Sequence, residues 1–272
     1  MISRRGFGLW AMAKLGSRSV RIGVSGYSFQ GLTLDETIAA MKQIRLGATE
    51  VWFRHIEPKL PREELRAWRL TVPLRTFEDA GKKFKAAGVE LVAYTFDMKE
   101  DFTDAELDRG FQMARALGVK RIATSTTFTV AEKLVPLMEH YHMEVAFHGH
   151  TNAADPNQFA GPDSFRRVLG MSRWAKINLD IGQFVAAGYD PVAFLREQHA
   201  NIPLLHIRDG KKGVGTKLPS GSGDTPIADV LRLIQREKYR IQADIEYDYG
   251  GSGGTIVEVT KCFDYCKTIL KS

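Results

Sequence analysis

The sequence predicts an α/β fold, built as a single (β/α)8 barrel. Eight short runs rich in β-branched and aromatic residues alternate with amphipathic segments at about 34 residues per unit, which is the spacing of such barrels. The 272 residues, 44% of them apolar, are enough for one large core of this kind. The predicted strands are Val20–Gly26, Ala48–Arg54, Val89–Phe96, Lys120–Thr126, Met143–Gly149, Ala175–Gly182, Ile202–Asp209 and Arg240–Asp248.

Helices are predicted between these strands, and several carry signals at their ends. Thr33 and Glu36 have the spacing of a capping box, and Gly118 follows a segment that it can end. The pair Thr225-Pro226 predicts a cap followed by a first-turn proline. The predicted helices are Asp35–Leu46, Phe77–Ala87, Asp104–Leu117, Val130–His142, Asp163–Leu169, Pro191–His199, Pro226–Lys238 and Ile256–Lys271.

An open, doubly wound sheet of eight strands is the main alternative to the barrel. Such a sheet usually carries a glycine-rich phosphate turn after its first strand. Here the first turn reads Gly23-Val-Ser-Gly-Tyr-Ser-Phe29 and lacks that fingerprint. The glycine-rich stretches Gly210–Gly223 and Gly250–Gly254 instead follow strands seven and eight. In a barrel these are loops at the carboxyl-terminal mouth, where binding and catalysis concentrate.

The positive charge of the chain is concentrated at its start. The formal net charge is +6, and residues 1–21 hold five basic side chains and no acidic one. The rest of the chain therefore carries only roughly +1, whereas a nucleic-acid-binding body would carry a basic stripe of its own. We expect no nucleic-acid partner. No apolar run reaches about 18 residues, so we also expect no membrane span.

Residues 1–19 are interpreted as a basic N-terminal tail, and residues 20–272 as the catalytic TIM-barrel domain. Within the tail, Ser3-Arg-Arg-Gly-Phe7 resembles the twin-arginine export motif. The apolar stretch that follows it is short and is stopped by Lys14, and no cleavage pattern of small residues is convincing. We therefore expect a cytoplasmic protein. Export by a twin-arginine-type signal, here shortened or vestigial, is the alternative.

Four apolar runs in the second half of the chain each end on a side chain of metal-ligand type. As successive parallel strands, they would bring these ends to the same edge of the sheet. Two imidazoles and two carboxylates gathered there form a candidate site for one divalent metal ion. The runs are Val145-Ala-Phe-His148, Ile177-Asn-Leu-Asp180, Leu204-Leu-His206 and Ala243-Asp-Ile-Glu246, with His148, Asp180, His206 and Glu246 as the ligands.

Some of these residues have a second interpretation. Asp180 could cap a helix, but the next predicted helix starts several residues later. Glu246 shares one face of its strand with Asp244 and Asp248, and we choose Glu246 as the ligand. His150 lies two residues after the first ligand and faces the same way, so we expect it to transfer protons or to support the ligands.

With these residues, the chain resembles the xylose isomerase-like TIM-barrel superfamily, which includes the sugar phosphate isomerase/epimerase family. The resemblance implies that one Mn²⁺, Co²⁺, Zn²⁺ or Mg²⁺ ion is held by the four ligands named above. It also implies an isomerase or epimerase that acts on a keto-sugar or related polyol through a metal-stabilised enediolate. The motifs that carry it are Ile22-Gly-Val-Ser-Gly-Tyr-Ser-Phe29, Asn178-Leu-Asp-Ile-Gly-Gln183, His206-Ile-Arg-Asp209, Gly221-Ser-Gly-Asp-Thr-Pro-Ile227 and Ile245-Glu246.

In that chemistry, the metal binds a carbonyl and a neighbouring hydroxyl, and a base removes the proton from the carbon between them. Glu246 or His150 would be the base. Charged and aromatic residues near the ends of other strands would orient the substrate. These candidate substrate-binding residues are Arg208 and Lys211 from strand seven and its loop, and Tyr27, Trp52, Arg54 and Tyr94 from earlier strands.

Two departures from the family pattern keep other reactions open. In many sugar epimerases of this type, a glutamate that also serves as a base stands where this chain has His148, and a histidine often stands where it has Gln183. The pair His148-x-His150 instead resembles lyases and dehydratases that act on keto-inositols or 3-keto-glycosides. A metal-dependent lyase is therefore the alternative reaction.

Two other classes share the barrel type. A metal-dependent DNA-repair endonuclease ranks last, because it needs several metals, more ligands and a more basic surface. A non-catalytic carbohydrate-binding barrel is the remaining class. We expect a small carbohydrate as the partner and leave a homodimer open.

Overall fold

The computed structural model of the protein describes residues 20–272. The tail predicted for residues 1–19 lies outside the described residues, so the division of the chain and its export motif stay predictions. Within the described part, we find no helix that combines the length and the apolar character needed to cross a bilayer.

Eight parallel strands close into one barrel in which the first strand pairs with the last. Around the barrel each strand neighbours the ones before and after it in sequence, and a short antiparallel hairpin follows the seventh barrel strand. The predicted (β/α)8 barrel is confirmed, and the open sheet is wrong. The barrel strands are β1 (Arg21–Ser25), β2 (Ala48–Trp52), β3 (Glu90–Thr95), β4 (Arg121–Thr124), β5 (Glu144–His148), β6 (Ala175–Asp180), β7 (Leu204–Ile207) and β10 (Gln242–Ile245), and the hairpin strands are β8 (Asp209–Lys211) and β9 (Gly215–Leu218).

All eight predicted helices are present within a few residues of their predicted limits, and the described chain adds two that the sequence pattern does not predict. The added helices are α2 and α7. The full set is α1 (Leu34–Ile44), α2 (Arg62–Thr71), α3 (Arg75–Ala86), α4 (Asp104–Leu117), α5 (Phe128–Tyr141), α6 (Pro162–Leu169), α7 (Ile181–Ala186), α8 (Pro191–Gln198), α9 (Ile227–Glu237) and α10 (Gly254–Lys271).

Helix α2 is held by charge rather than by an apolar stripe. Arg62 and Arg66 reach the carboxylate of Glu106 on α4, at 2.8 and 2.9 Å. Arg69 pairs with Glu57 at 2.7 Å, and both side chains are buried. Buried carboxylates need such partners because an unpaired charge in the interior is costly. Pairing between segments that are distant in sequence explains why hydrophobic spacing alone does not reveal this helix.

The predicted helix caps have mixed outcomes. Thr33 and Glu36 form the capping box, with the Glu36 amide donating to the Thr33 hydroxyl and the Glu36 carboxylate accepting from the Thr33 amide. The prediction for Thr225-Pro226 is wrong, because Pro226 precedes the first residue of α9 and no side chain caps that helix. Thr225 instead accepts a hydrogen bond from the Gly210 amide at 2.9 Å.

The barrel interior contains an apolar group and a polar one. The apolar group consists of small and aliphatic side chains, namely Ala93, Ala123, Ala146 and Leu204. The polar group includes Glu50, His206 and Asp244, all buried. Gly23 makes room for it, because a Cβ atom at this position would overlap the Asp244 carboxylate and come within 2.7 Å of the Ala48 carbonyl oxygen. The interior therefore carries charge next to the carboxyl-terminal ends of the strands, where the candidate site lies.

Candidate metal centre

The four predicted ligands come together at the carboxyl-terminal ends of four adjacent strands. His148 ends β5, Asp180 ends β6, His206 lies in β7, and Glu246 directly follows β10. One donor atom from each residue lies within 4.8 Å of all the others. The parallel pairing places Asp180 beside His206 and His206 beside Asp244, two residues before Glu246. The strand order thus turns distant sequence positions into one cluster.

The separations within the cluster fit a shared divalent ion. His148 Nε2 lies 3.5 Å from Asp180 Oδ2 and 3.7 Å from Glu246 Oε2, and His206 Nδ1 lies 3.0 Å from Glu246 Oε2. Ligands about 2.0–2.1 Å from a tetrahedral ion are roughly 3.3–3.5 Å apart. Both ring nitrogens of His148 and Asp180 Oδ2 are buried without a hydrogen-bond partner among the described residues. Buried polar atoms without partners are rare, and a cation between His148 Nε2 and Asp180 Oδ2 would satisfy these two atoms.

The electrostatics of the cluster also favour a cation. Burial lowers the pKa of the His206 imidazole, but the carboxylates of Glu50 and Glu246 outweigh burial and raise it well above its ordinary value. Burial raises the pKa of Glu246, but Arg208 and His206 outweigh burial and hold it well below its ordinary value. The site therefore stabilises positive charge between its carboxylates, as a divalent-metal site must.

Asp180 caps a helix in addition to lying in the cluster. Its Oδ1 atom accepts a hydrogen bond from the Gln183 amide at 2.8 Å, which caps the short helix α7. The expectation that no helix starts directly after Asp180 is wrong, because α7 begins at Ile181. The other oxygen, Oδ2, faces His148. Capping thus fixes the orientation of the carboxylate and leaves its other oxygen available to a metal ion.

Arg208 lies inside the cluster and contacts three carboxylates. Its guanidinium is 3.0 Å from Glu246, 3.3 Å from Asp248 and 3.5 Å from Asp180, and the side chain is buried. Burial lowers the pKa of Arg208, but these carboxylates outweigh it and raise the pKa. Two of the three are candidate metal ligands, so Arg208 orients them and balances their charge.

His150 lies next to the cluster but is not one of its four members. Its ring centroid is 5.0 Å from that of His148. Burial and the neighbouring His148 lower the pKa of His150 to about 4, so its imidazole is neutral near pH 7. His150 also lines a cavity of about 180 Å³ together with Lys99 and Thr126. A neutral imidazole between the cluster and a cavity can accept a proton.

The other candidate substrate-binding residues differ in their positions. The rings of Tyr27 and Trp52 meet edge to face at 5.5 Å at the ends of β1 and β2, and the Arg54 guanidinium is 5.8 Å from the Trp52 ring. Lys211 is exposed at the end of hairpin strand β8. Tyr94 is not brought to the site.

Tyr94 is fully buried behind the sheet rather than at the barrel mouth. It lies against Phe77 of helix α3 and stacks on Phe96. The next residue, Thr95, faces inward and donates a hydrogen bond to Glu50. Alternation along β3 therefore turns Tyr94 toward the helices.

Glu50 is the part of the site that the sequence analysis missed. It lies in β2, fully buried, and its Oε1 atom is 2.7 Å from His206 Nε2. The available signal was a single glutamate on the inward face of the short strand Ala48-Thr-Glu-Val-Trp52, where a solvated carboxylate is not expected.

Asp209 organises the loop beside the site. Its carboxylate accepts hydrogen bonds from the amides of Gly210, Gly221, Gly223 and Thr225, at 2.8–3.2 Å. Two of the motifs that carry the family resemblance, His206-Ile-Arg-Asp209 and Gly221-Ser-Gly-Asp-Thr-Pro-Ile227, are thereby joined. The bonds hold the loop after β9 against the segment that carries Arg208.

No family model and no curated protein match the sequence. Solved structures do match over nearly the whole chain. The 3-keto-D-glucoside 4-epimerase YcjR from E. coli has a TM-score of 0.69 at 12% identity, covering 92% of this chain and 100% of that chain. The IolI protein with a bound zinc atom has a TM-score of 0.68 at 12% identity, covering 92% and 98%. A xylose isomerase domain protein from Planctomyces limnophilus has a TM-score of 0.66 at 13% identity, covering 93% and 96%. At such identities the likeness shows the fold alone, and the chain shares the (β/α)8 barrel of these proteins.

Proposed function

We propose that this protein is a divalent-metal-dependent isomerase or epimerase of a keto-sugar or related polyol. The observation that carries the proposal is the cluster His148, Asp180, His206 and Glu246, whose donor atoms lie within 4.8 Å of one another. Two similar structures support it, since one is a 3-keto-glucoside epimerase and another holds zinc. A bound ion here would supply Lewis acidity toward the carbonyl and hydroxyl oxygens of the substrate.

The surrounding residues suit the proton transfer that such a reaction needs. His150 is neutral near pH 7 and lies between the cluster and the small cavity, so it can take a proton from the carbon next to the carbonyl. Glu246 is less free to move a proton, because it contacts Arg208 and His206, each at 3.0 Å, and would also ligate the ion. We therefore assign proton removal to His150 and ligation to Glu246.

The aromatic pair and the exposed lysine would serve substrate binding. The half-buried ring of Tyr27, which packs against the buried Trp52, offers apolar surface that suits the C–H face of a sugar. Arg54 and Lys211 are exposed and would meet substrate hydroxyls or an anionic group. Arg208 is already engaged with three carboxylates, so its role is to hold them rather than to bind substrate directly.

A lyase or dehydratase of a keto-inositol or 3-keto-glycoside is the second candidate. It shares the first proton removal and differs in expelling a group from the adjacent carbon. The observation that favours it is that β5 ends on an imidazole, His148, with a second imidazole 5.0 Å from it between ring centroids. The carboxyl-terminal end of β5 supplies no carboxylate base for a proton exchange on two faces of the substrate, since the carboxylate of this strand, Glu144, lies at its start and pairs with Arg121.

The test is solvent deuterium exchange with a panel of keto-sugars, keto-inositols and 3-keto-glycosides, with added Mn²⁺ and with chelator. Label incorporated without a leaving group indicates the isomerase or epimerase, whereas release of water or an aglycone indicates the lyase. Both activities should vanish with chelator and return with metal. Activity that persists in chelator would contradict metal dependence.

Two histidine variants sharpen this experiment. We expect His150→Gln to lose exchange while it still binds metal, because His150 is not one of the four ligands. His140→Gln is the matched control, since His140 is an exposed histidine on helix α5. Equal exchange in the wild type and His150→Gln would remove His150 from the mechanism.

A further inference from the structure

Glu50 is a charged residue that no solvent reaches. Its side chain is 0% exposed and points into the barrel, where it meets residues from three other strands. Thr95 of β3 donates a hydrogen bond to Oε2 at 3.2 Å, and Asn178 Nδ2 of β6 lies 3.5 Å from the same oxygen. An isolated carboxylate in such a place would be strongly destabilising. The residue that contacts the Glu50 carboxylate most closely therefore indicates the role of Glu50.

That partner is His206, one of the four candidate ligands. Glu50 Oε1 lies 2.7 Å from Nε2 of the imidazole, while the opposite nitrogen, Nδ1, lies 3.0 Å from Glu246. A neutral imidazole has one N–H and one lone pair, and the partner of one nitrogen decides which is which. Asn178 Nδ2 also lies 3.0 Å from Nε2, but Glu50 is closer to this nitrogen, and closer than Glu246 is to Nδ1. With a cation among the four clustered residues, the Glu50 carboxylate would therefore keep the N–H on Nε2 and leave the lone pair of Nδ1 for the ion.

We propose that Glu50 is a positioning residue of the metal centre, which accepts the Nε2–H of His206 and so commits Nδ1 of His206 to the ion. The inference rests on the proposed function for the existence of a metal ion. Metal-bound histidines usually donate their second N–H to such a carboxylate, which fixes the ring and strengthens the ligand. Here the carboxylate comes from β2, across the barrel from the four strands that carry the ligands.

The first test compares Glu50→Gln with Glu57→Gln by Co²⁺ titration, following the visible absorption of the bound ion and its dissociation constant. Glu57 is a buried glutamate paired with Arg69, so it reports the effect of losing a buried carboxylate elsewhere. We expect Glu50→Gln to weaken Co²⁺ binding by about 10- to 100-fold and to change the absorption spectrum. We expect Glu57→Gln to keep the affinity and spectrum of the wild type, even if it unfolds at a lower temperature.

The second test needs no variant and so does not depend on how Glu50→Gln folds. Protein with ¹⁵N-labelled histidine is loaded with ¹¹³Cd²⁺, and the coupling between cadmium and each imidazole nitrogen is measured by NMR. Coupling to Nδ1 of His206, with a proton on Nε2, is the expected result. Coupling to Nε2, or wild-type affinity and spectrum in Glu50→Gln, would overturn the role of Glu50 and leave the metal centre intact. A wild-type protein that binds neither ion would overturn both proposals.

Discussion

The helix cap formed by Asp180 and its proposed role as a metal ligand can be separated by substitution. Asparagine keeps an oxygen that can accept the Gln183 amide, now at 2.8 Å from Oδ1, but removes the negative charge that faces His148. Alanine removes both. In chelator, we expect the free energy of unfolding of Asp180→Asn to lie within about 0.5 kcal/mol of the wild-type value, because the cap is retained. Asp180→Ala should lose about 1 kcal/mol more, which lowers its melting temperature by roughly 2–4 °C relative to Asp180→Asn.

The metal affinities of these two variants should follow a different order from their stabilities. Both variants lose a charged ligand. Loss of a residue that only hydrogen-bonds a ligand weakens metal binding by roughly 10- to 100-fold, so we expect both variants to weaken the binding of Mn²⁺ or Zn²⁺ by a larger factor. Calorimetric titration gives the affinity, and scanning calorimetry in chelator gives the stability. Asp190 is the matched control, because it caps α8 through the Val192 and Ala193 amides and is not among the four clustered ligands. If Asp180→Asn binds metal as tightly as the wild type, Asp180 is a cap and not a ligand.

Three further predictions concern the rest of the fold. Burial raises the pKa of Glu106, but hydrogen bonds from Arg62 and Arg66 outweigh it and lower the pKa from 4.5 to about 2. The stability that this lowered pKa contributes is present above about pH 4.5 and is lost as the pH falls toward 2. In urea unfolding, the advantage of the wild type over Glu106→Gln should therefore shrink by roughly 2 kcal/mol between about pH 6 and pH 3, and a constant difference would refute the linkage. Gly23→Ala should destabilise the barrel by about 1–3 kcal/mol through overpacking in the interior, measured in the same way, and an unchanged midpoint would show that this space is free. Tyr94→Phe should leave turnover unchanged and stability equal or slightly higher, because the buried Tyr94 hydroxyl has no partner among the described residues; a drop in kcat would restore Tyr94 to the site.

The cluster could be predicted from the sequence because each of its four residues lies where a parallel strand ends. Strand periodicity and strand order are local, repeated signals, and they converge on one edge of the barrel. The contacts that tune the ligands are of another kind. Glu50 contacts His206, which is 156 residues away in sequence, and the residues next to Glu50 in the sequence do not indicate this contact.

The remaining errors have equally specific causes. The cap function of Asp180 is hidden because α7 has only six residues, which is too few for a helical pattern. The orientation of Tyr94 depends on which residue of β3 faces inward, and the pairing of β2 with β3 is shifted between Thr49 and Glu50. An irregular strand register of this type cannot be predicted by counting residues along the sequence.

The carboxylate of Asp209 has a consequence for how the entrance behaves. Four backbone amides donate hydrogen bonds to it, so the segment beyond the hairpin is held in place by its own main chain before any ligand binds. A loop that is already ordered loses little conformational entropy when a ligand binds to it. Under the proposed function, adaptation to different sugars must then come from side chains that project from this loop, and substitutions there would change specificity without changing its backbone.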